Sequence, residues 1–63
     1  MKLWIARDRD YKRRLFLYVD KPQSYEGIWY SKGDSYDIDN RLFPEVTFEN
    51  SPQEVELKLK KQI

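Results

Sequence analysis

The stretch Arg14-Leu15-Phe16-Leu17-Tyr18-Val19 holds the longest uninterrupted apolar run of the chain, residues 15–19. It is bounded by Asp8-Arg9-Asp10 upstream and Asp20-Lys21-Pro22 downstream. The run is too short for a helix with its own buried stripe, and its aromatic and β-branched content suits a strand. Successive side chains alternate across a pleat, so Leu15, Leu17 and Val19 point one way and Phe16 and Tyr18 the other. A strand that is apolar on both faces needs cover on both, and the rest of the chain has to supply it.

The sequence is read as a single domain, 1–63. That is near the smallest size that folds unaided, because a chain of ~60 residues buries only about 60% of its unfolded surface. The composition has no cysteine and no histidine, which removes disulfides, thiolate metal sites and the usual general base. Aromatic residues make up 16% of the chain, and each brings ~150–250 Å² of buriable surface. Together with a net charge of only +1, this places the chain outside the disordered regime. No apolar run approaches the ~18 residues of a membrane span, and the run Leu3-Trp4-Ile5-Ala6 is too short for the core of a signal peptide. The cytoplasm is the expected compartment. Charge is segregated along the chain: residues 1–33 sum to +4, residues 34–56 to −6 and residues 57–63 to +3. Such segregation fits either complementary strand pairing or two surface patches.

Residues 2–7 alternate, with Leu3 and Ile5 on one face and Trp4 and Ala6 on the other, which predicts a first strand. The charged segment 8–13 contains two Asp able to form Asx turns and is expected to return the chain as a hairpin. Gln23 to Gly27 reads as a connector. Ile28-Trp29-Tyr30-Ser31 and Tyr36-Asp37-Ile38 then read as a second hairpin, 28–38, turning at Gly33. Asp39-Asn40-Arg41-Leu42-Phe43-Pro44 breaks the alternation and predicts one turn of 3₁₀ helix. Val46 and Phe48 resume the two-residue period, and Val55, Leu57 and Leu59 carry it to a last strand. A helix beginning at Ser51-Pro52, with Glu54 completing a capping box, competes for that segment. Apolar residues at i, i+2 and i+4 share one strand face but spread over about 200° of a helix, which favours the strand. The expected fold is all-β: a six-stranded antiparallel meander curled into a barrel-like or bent sheet, with one short 3₁₀ turn.

Two segments, Leu42-Phe43-Pro44-Glu45-Val46-Thr47-Phe48-Glu49-Asn50-Ser51-Pro52 and Lys2-Leu3-Trp4-Ile5-Ala6-Arg7-Asp8, carry a resemblance. With the aromatic second strand, the Ile-Trp-Tyr third strand and the Val-Glu-Leu-Lys ending, the chain resembles short uncharacterised proteins of gut bacteria and of their phages and mobile elements. The likeness is one of strands and turns. It implies no activity and carries over no functional residue, and at most it points to a phage or prophage accessory protein.

Asp34, Asp37 and Asp39 invite a calcium reading, but the positions where an EF-hand loop counted from Asp37 wants Gly and Glu hold Leu42 and Phe48. No metal is therefore expected, and without a His, a Gly-rich loop or enough core to hold a site rigid, no cofactor or enzymatic activity is expected either. The basic loop Arg7, Arg9, Lys12, Arg13 and Arg14 with the tail residues Lys58, Lys60 and Lys61 lies near Trp4, Tyr11, Phe16 and Tyr18, as in small β-barrels that bind single strands, and Arg9, Lys12, Arg13, Arg14, Lys60 and Lys61 are the candidate contacts. The sequence pI is 7.9, below the ~9 usual for strong nucleic-acid binders. The favoured expectation is a non-enzymatic protein-interaction module. It would bind a protein partner or a second copy through Trp4, Phe16, Tyr18, Trp29 and Tyr30, with nucleic-acid binding as the alternative. Leu42, Phe43, Val46, Val55, Leu57 and Leu59 are expected to close the opposite, aliphatic face.

Overall fold

The computed structural model describes residues 1–59. Six strands follow one another as β1 (Lys2–Arg7), β2 (Leu15–Tyr18), β3 (Gln23–Tyr25), β4 (Ile28–Tyr30), β5 (Ser35–Ile38) and β6 (Gln53–Glu56). They form an antiparallel four-stranded sheet in the order β5-β2-β1-β6 and a separate two-stranded ribbon, β3-β4. Strands account for 41% of the described residues and helices for none, so the all-β expectation holds and the strand reading wins over the helix at 53–56. The sheet is not closed into a barrel, and no 3₁₀ turn is present among the described residues.

The double-faced stretch takes an inner position, with β1 on one side and β5 on the other. The pairs Ile5↔Leu17 and Arg7↔Leu15 put the aliphatic side chains of both strands on one face, and Trp4↔Tyr18 and Ala6↔Phe16 put the aromatic ones on the other. β5 continues the rows, with Ile38 opposite Leu15 and Asp37 opposite Phe16. On the aliphatic face Ile5, Leu15 and Val46 form the core, packed against Leu17, Ile38 and Val55.

The expected hairpin over 28–38 is replaced by two separate pairings, and the turn lies elsewhere. Glu26 and Gly27 have φ of 52° and 81°, and positive φ at both central positions is what a type I′ hairpin turn requires. The 23–27 connector is therefore β3 and its turn, joined to β4 with Tyr25 opposite Ile28. A Cβ on Gly27 would also lie 3.1 Å from Arg9 Nε, so both conformation and space favour glycine there. β5, released from β4, pairs with the free edge of β2.

The expected strand at 46–48 and the 3₁₀ turn at 39–44 are both overturned, because the backbone groups of this segment are spent otherwise. Turns close through Leu42 N–H to Asp39 O, Val46 N–H to Phe43 O and Ser51 N–H to Phe48 O. Thr47 and Asn50 exchange side-chain bonds with each other's N–H, and Asn50 Nδ2 donates to Glu45 O. Phe43 sits at φ 51°, which ends any helical continuation. The carbonyls of Asn40, Leu42, Phe43 and Val46 all turn toward the guanidinium of Arg7. The loop wraps one end of the sheet, with Val46 in the aliphatic core and Phe48 in ring contact with Trp29 of the ribbon.

The aliphatic face is less completely closed than expected. Val46 is buried and Val55 half-buried, but Leu42, Phe43, Leu57 and Leu59 are 50%, 49%, 60% and 91% exposed. The last strand ends at Glu56 rather than at 59. Beyond it, Leu57 N–H still donates to Met1 O.

Candidate binding cleft

The aromatic face is built in two layers. β1 and β2 supply Trp4, Ala6, Phe16 and Tyr18, and the ribbon is laid over one end of them. Ala6 is fully buried, and its small side chain lets β4 come close to β1. Three hydrogen bonds hold the ribbon: Arg9 N–H to Gly27 O at 2.8 Å, Trp29 N–H to Asp8 Oδ1 at 3.0 Å and Tyr18 O–H to Trp29 O at 3.2 Å. Between ribbon and sheet lies an open cleft of about 330 Å³, at the lower end of the ~300–1,000 Å³ typical of ligand sites.

Four of the five residues expected at an interface line this cleft: Phe16, Tyr18, Trp29 and Tyr30. Phe16 and Tyr18 stand with ring centroids 6.1 Å apart, tilted by 48°. Trp29 is half-buried against Phe48, centroids 5.6 Å apart, and Tyr30 is 52% exposed. Tyr18 is only 3% exposed, so it forms the floor. Trp4 shares the face but lies outside the cleft, with Lys21 Nζ 5.3 Å from its ring centroid. The buried Trp29 Nε1 has no acceptor among the described residues, and nothing around it explains why.

The basic residues disperse. The Arg9 guanidinium covers the Phe48 ring at 4.9 Å and Lys12 lies 5.8 Å from the Tyr11 ring. Arg13 occupies the 10–13 turn at φ 49°, its N–H bonded to Asp10. Arg14 alone of this set lines the cleft. Lys60 and Lys61 lie outside the described residues. No group of three or more carboxylates converges on a metal position among the described residues, and Asp39 is engaged by Arg41 at 2.8 Å.

Sequence reading put Arg7 at the end of the first strand and in the basic set, and Asp8 in charged turn material, and gave neither a buried role. Arg7 shares the parity of Leu3 and Ile5 and so enters the aliphatic face, whereas Asp8 shares that of Trp4 and Ala6. Asp8 N–H still pairs with Arg14 O, so the alternation runs one residue past β1. Carrying that parity through the charged residues would have found both.

Asp8 is 5% exposed and lines the cleft with Asp10 and Arg14. Burial pushes its carboxyl above the ordinary value, the Trp29 N–H opposes this, Asp10 adds to it and Arg14 opposes it. The Tyr18 phenol is pushed up to about 12, by burial first and by the charge of Asp8 second. An acid whose folded pKa is raised favours the native state below its unfolded pKa and loses that advantage as pH rises through the folded one. Ionised Asp8 is thus a net cost at neutral pH. Asp8→Asn keeps an oxygen for the Trp29 N–H and removes the buried charge. It is expected to raise the thermal midpoint at pH 7, by an amount that shrinks as pH falls through the raised Asp8 pKa and vanishes below 3.8. Calorimetry of both proteins across that range checks it, and an Asn variant melting below wild type at pH 7 would refute it.

No protein-family model matches the chain, and neither a curated protein nor a solved structure shows significant similarity to it.

Proposed function

We propose that the chain is a non-enzymatic protein-interaction module that grips a partner through the aromatic cleft. The carrying observation is that Phe16 and Tyr18 of the sheet and Trp29 and Tyr30 of the ribbon converge on one opening. Large, stiff aromatic residues of this kind dominate interface hot spots. The resemblance to short proteins of gut bacteria and their phages supports a phage or prophage accessory role. The partner is another protein or a second copy of the chain.

The test is affinity capture from a host lysate, read for protein and nucleic acid together, followed by amide-exchange footprinting with the captured partner. Protection is expected at residues 16–18 and 28–31. Tyr30→Ala should weaken capture by at least about tenfold, as loss of a central aromatic anchor does. Capture that is indifferent to Tyr30→Ala, or protection lying elsewhere, removes the proposal. The alternative, nucleic acid held by Arg9, Lys12, Arg13 and Arg14, would show as affinity falling steeply with salt.

A further inference from the structure

The protein covers several of its own aromatic rings with its own cations: Arg9 over Phe48, Lys12 over Tyr11 and Lys21 over Trp4. Among the described residues no cation lies over Phe16, Tyr18, Trp29 or Tyr30, although all four line the cleft. The same cleft holds a buried carboxylate that is only half used. Asp8 Oδ1 accepts the Trp29 N–H, whereas Oδ2 has no hydrogen-bond partner and Asp8 no ion pair among the described residues. Oδ2 is not a fully buried atom, so an incoming donor can reach it. Asp10 lines the cleft too, and Asp37 lies opposite Phe16 on the same face. Arg14 is the one lining cation.

We infer that the cleft receives a cationic side chain, an arginine or lysine carried by the partner protein, whose stem lies against the Phe16 and Tyr30 rings while its charge meets Asp8. Aromatic faces attract cations electrostatically, more strongly when the site is partly dry, and the unpaired carboxylate adds a direct acceptor. A phosphate would instead face Asp8 and Asp10 with Arg14 alone to hold it. The inference rests on the interaction-module reading and specifies what the partner must present.

Arg14 makes the sign of the charge measurable. Blocked tripeptides Gly-Arg-Gly, Gly-Lys-Gly, Gly-norleucine-Gly and Gly-Glu-Gly are titrated into the whole chain while the amide resonances of residues 8, 16, 18, 29 and 30 are followed. The Arg and Lys peptides should shift them saturably, at least tenfold more tightly than norleucine or Glu. Asp8→Asn should weaken the Arg peptide about tenfold and Arg14→Gln should tighten it two- to threefold. Arg14 is exposed, so that variant tests the sign of the charge without touching the bond between Asp8 and the Trp29 N–H. Weaker binding by Arg14→Gln, or shifts produced by the Glu peptide or by an oligonucleotide, would make the site anionic in preference and overturn the inference. Norleucine binding as tightly as lysine would overturn it as well, by showing an apolar pocket. Absence of any shift with the Arg and Lys peptides would overturn it too, and in each of these cases the captured partner's footprint still decides the interaction-module reading by itself.

Discussion

Arg7→Ala is expected to leave the chain largely unfolded in buffer at room temperature. Arg7 is buried, only 8% exposed. It donates to Val46 O at 2.6 Å through Nε, to Arg13 O and Asn40 O at 2.9 Å through Nη1, and to Leu42 O and Phe43 O at 3.0 and 3.2 Å through Nη2. The backbone N–H of Arg7 meanwhile donates to Ser51 Oγ at 3.0 Å. One side chain thus holds both the turn before β2 and the whole 40–46 loop against the end of the sheet. Without it, carbonyls are stranded at about 1–3 kcal/mol each where they stay buried, and a core this small rarely supplies more than ~3–5 kcal/mol in all. Lysine offers a compact ammonium instead of a planar fork, so Arg7→Lys should restore little. Amide dispersion and a urea melt decide the matter. A dispersed Arg7→Ala spectrum with less than ~1 kcal/mol lost would show that the loop holds itself.

Tyr18→Glu should unfold the chain as well, whereas Phe16→Glu should leave it folded and empty the cleft of binding. The two residues are near neighbours on one strand face and look alike in sequence, where both read as removable interface residues. Tyr18, however, is 3% exposed, bonds the ribbon through its hydroxyl and lies close enough to Asp8 for that charge to shift its phenol. Truncating a buried aromatic residue costs about 3–5 kcal/mol, and a glutamate there adds a second buried negative charge. Phe16 is half-buried at the cleft wall. A glutamate at that position opposes Asp37 across the strands, a milder penalty near solvent of ~0.2–1 kcal/mol. Circular dichroism and urea midpoints of the two variants separate the roles. A folded Tyr18→Glu, or an unfolded Phe16→Glu, would reverse the assignment of floor and wall.

The strand class, the first hairpin and the two-faced character of residues 15–18 were legible in the sequence by itself, because alternation and run length are local properties of the chain. The parity of Trp4, Phe16 and Tyr18 likewise put them on one face before any neighbour was known. Pairing was not legible. Whether Ile28–Tyr30 joins Tyr36–Ile38 or Gln23–Tyr25 depended on positive φ at Glu26, a residue that does not advertise it, and on an open edge of β2 that exists only in the assembled sheet. Val46 and Phe48 kept a strand's period and still form no strand, because the carbonyl of Val46 itself, with those of Leu42 and Phe43, serves a buried arginine 35 to 39 positions upstream. Burial decided the cleft in the same way. Asp8 and Tyr18 acquire their character from a ribbon laid over them, and the desolvation that sets the charge of a site is a property of tertiary packing, which a linear pattern does not contain.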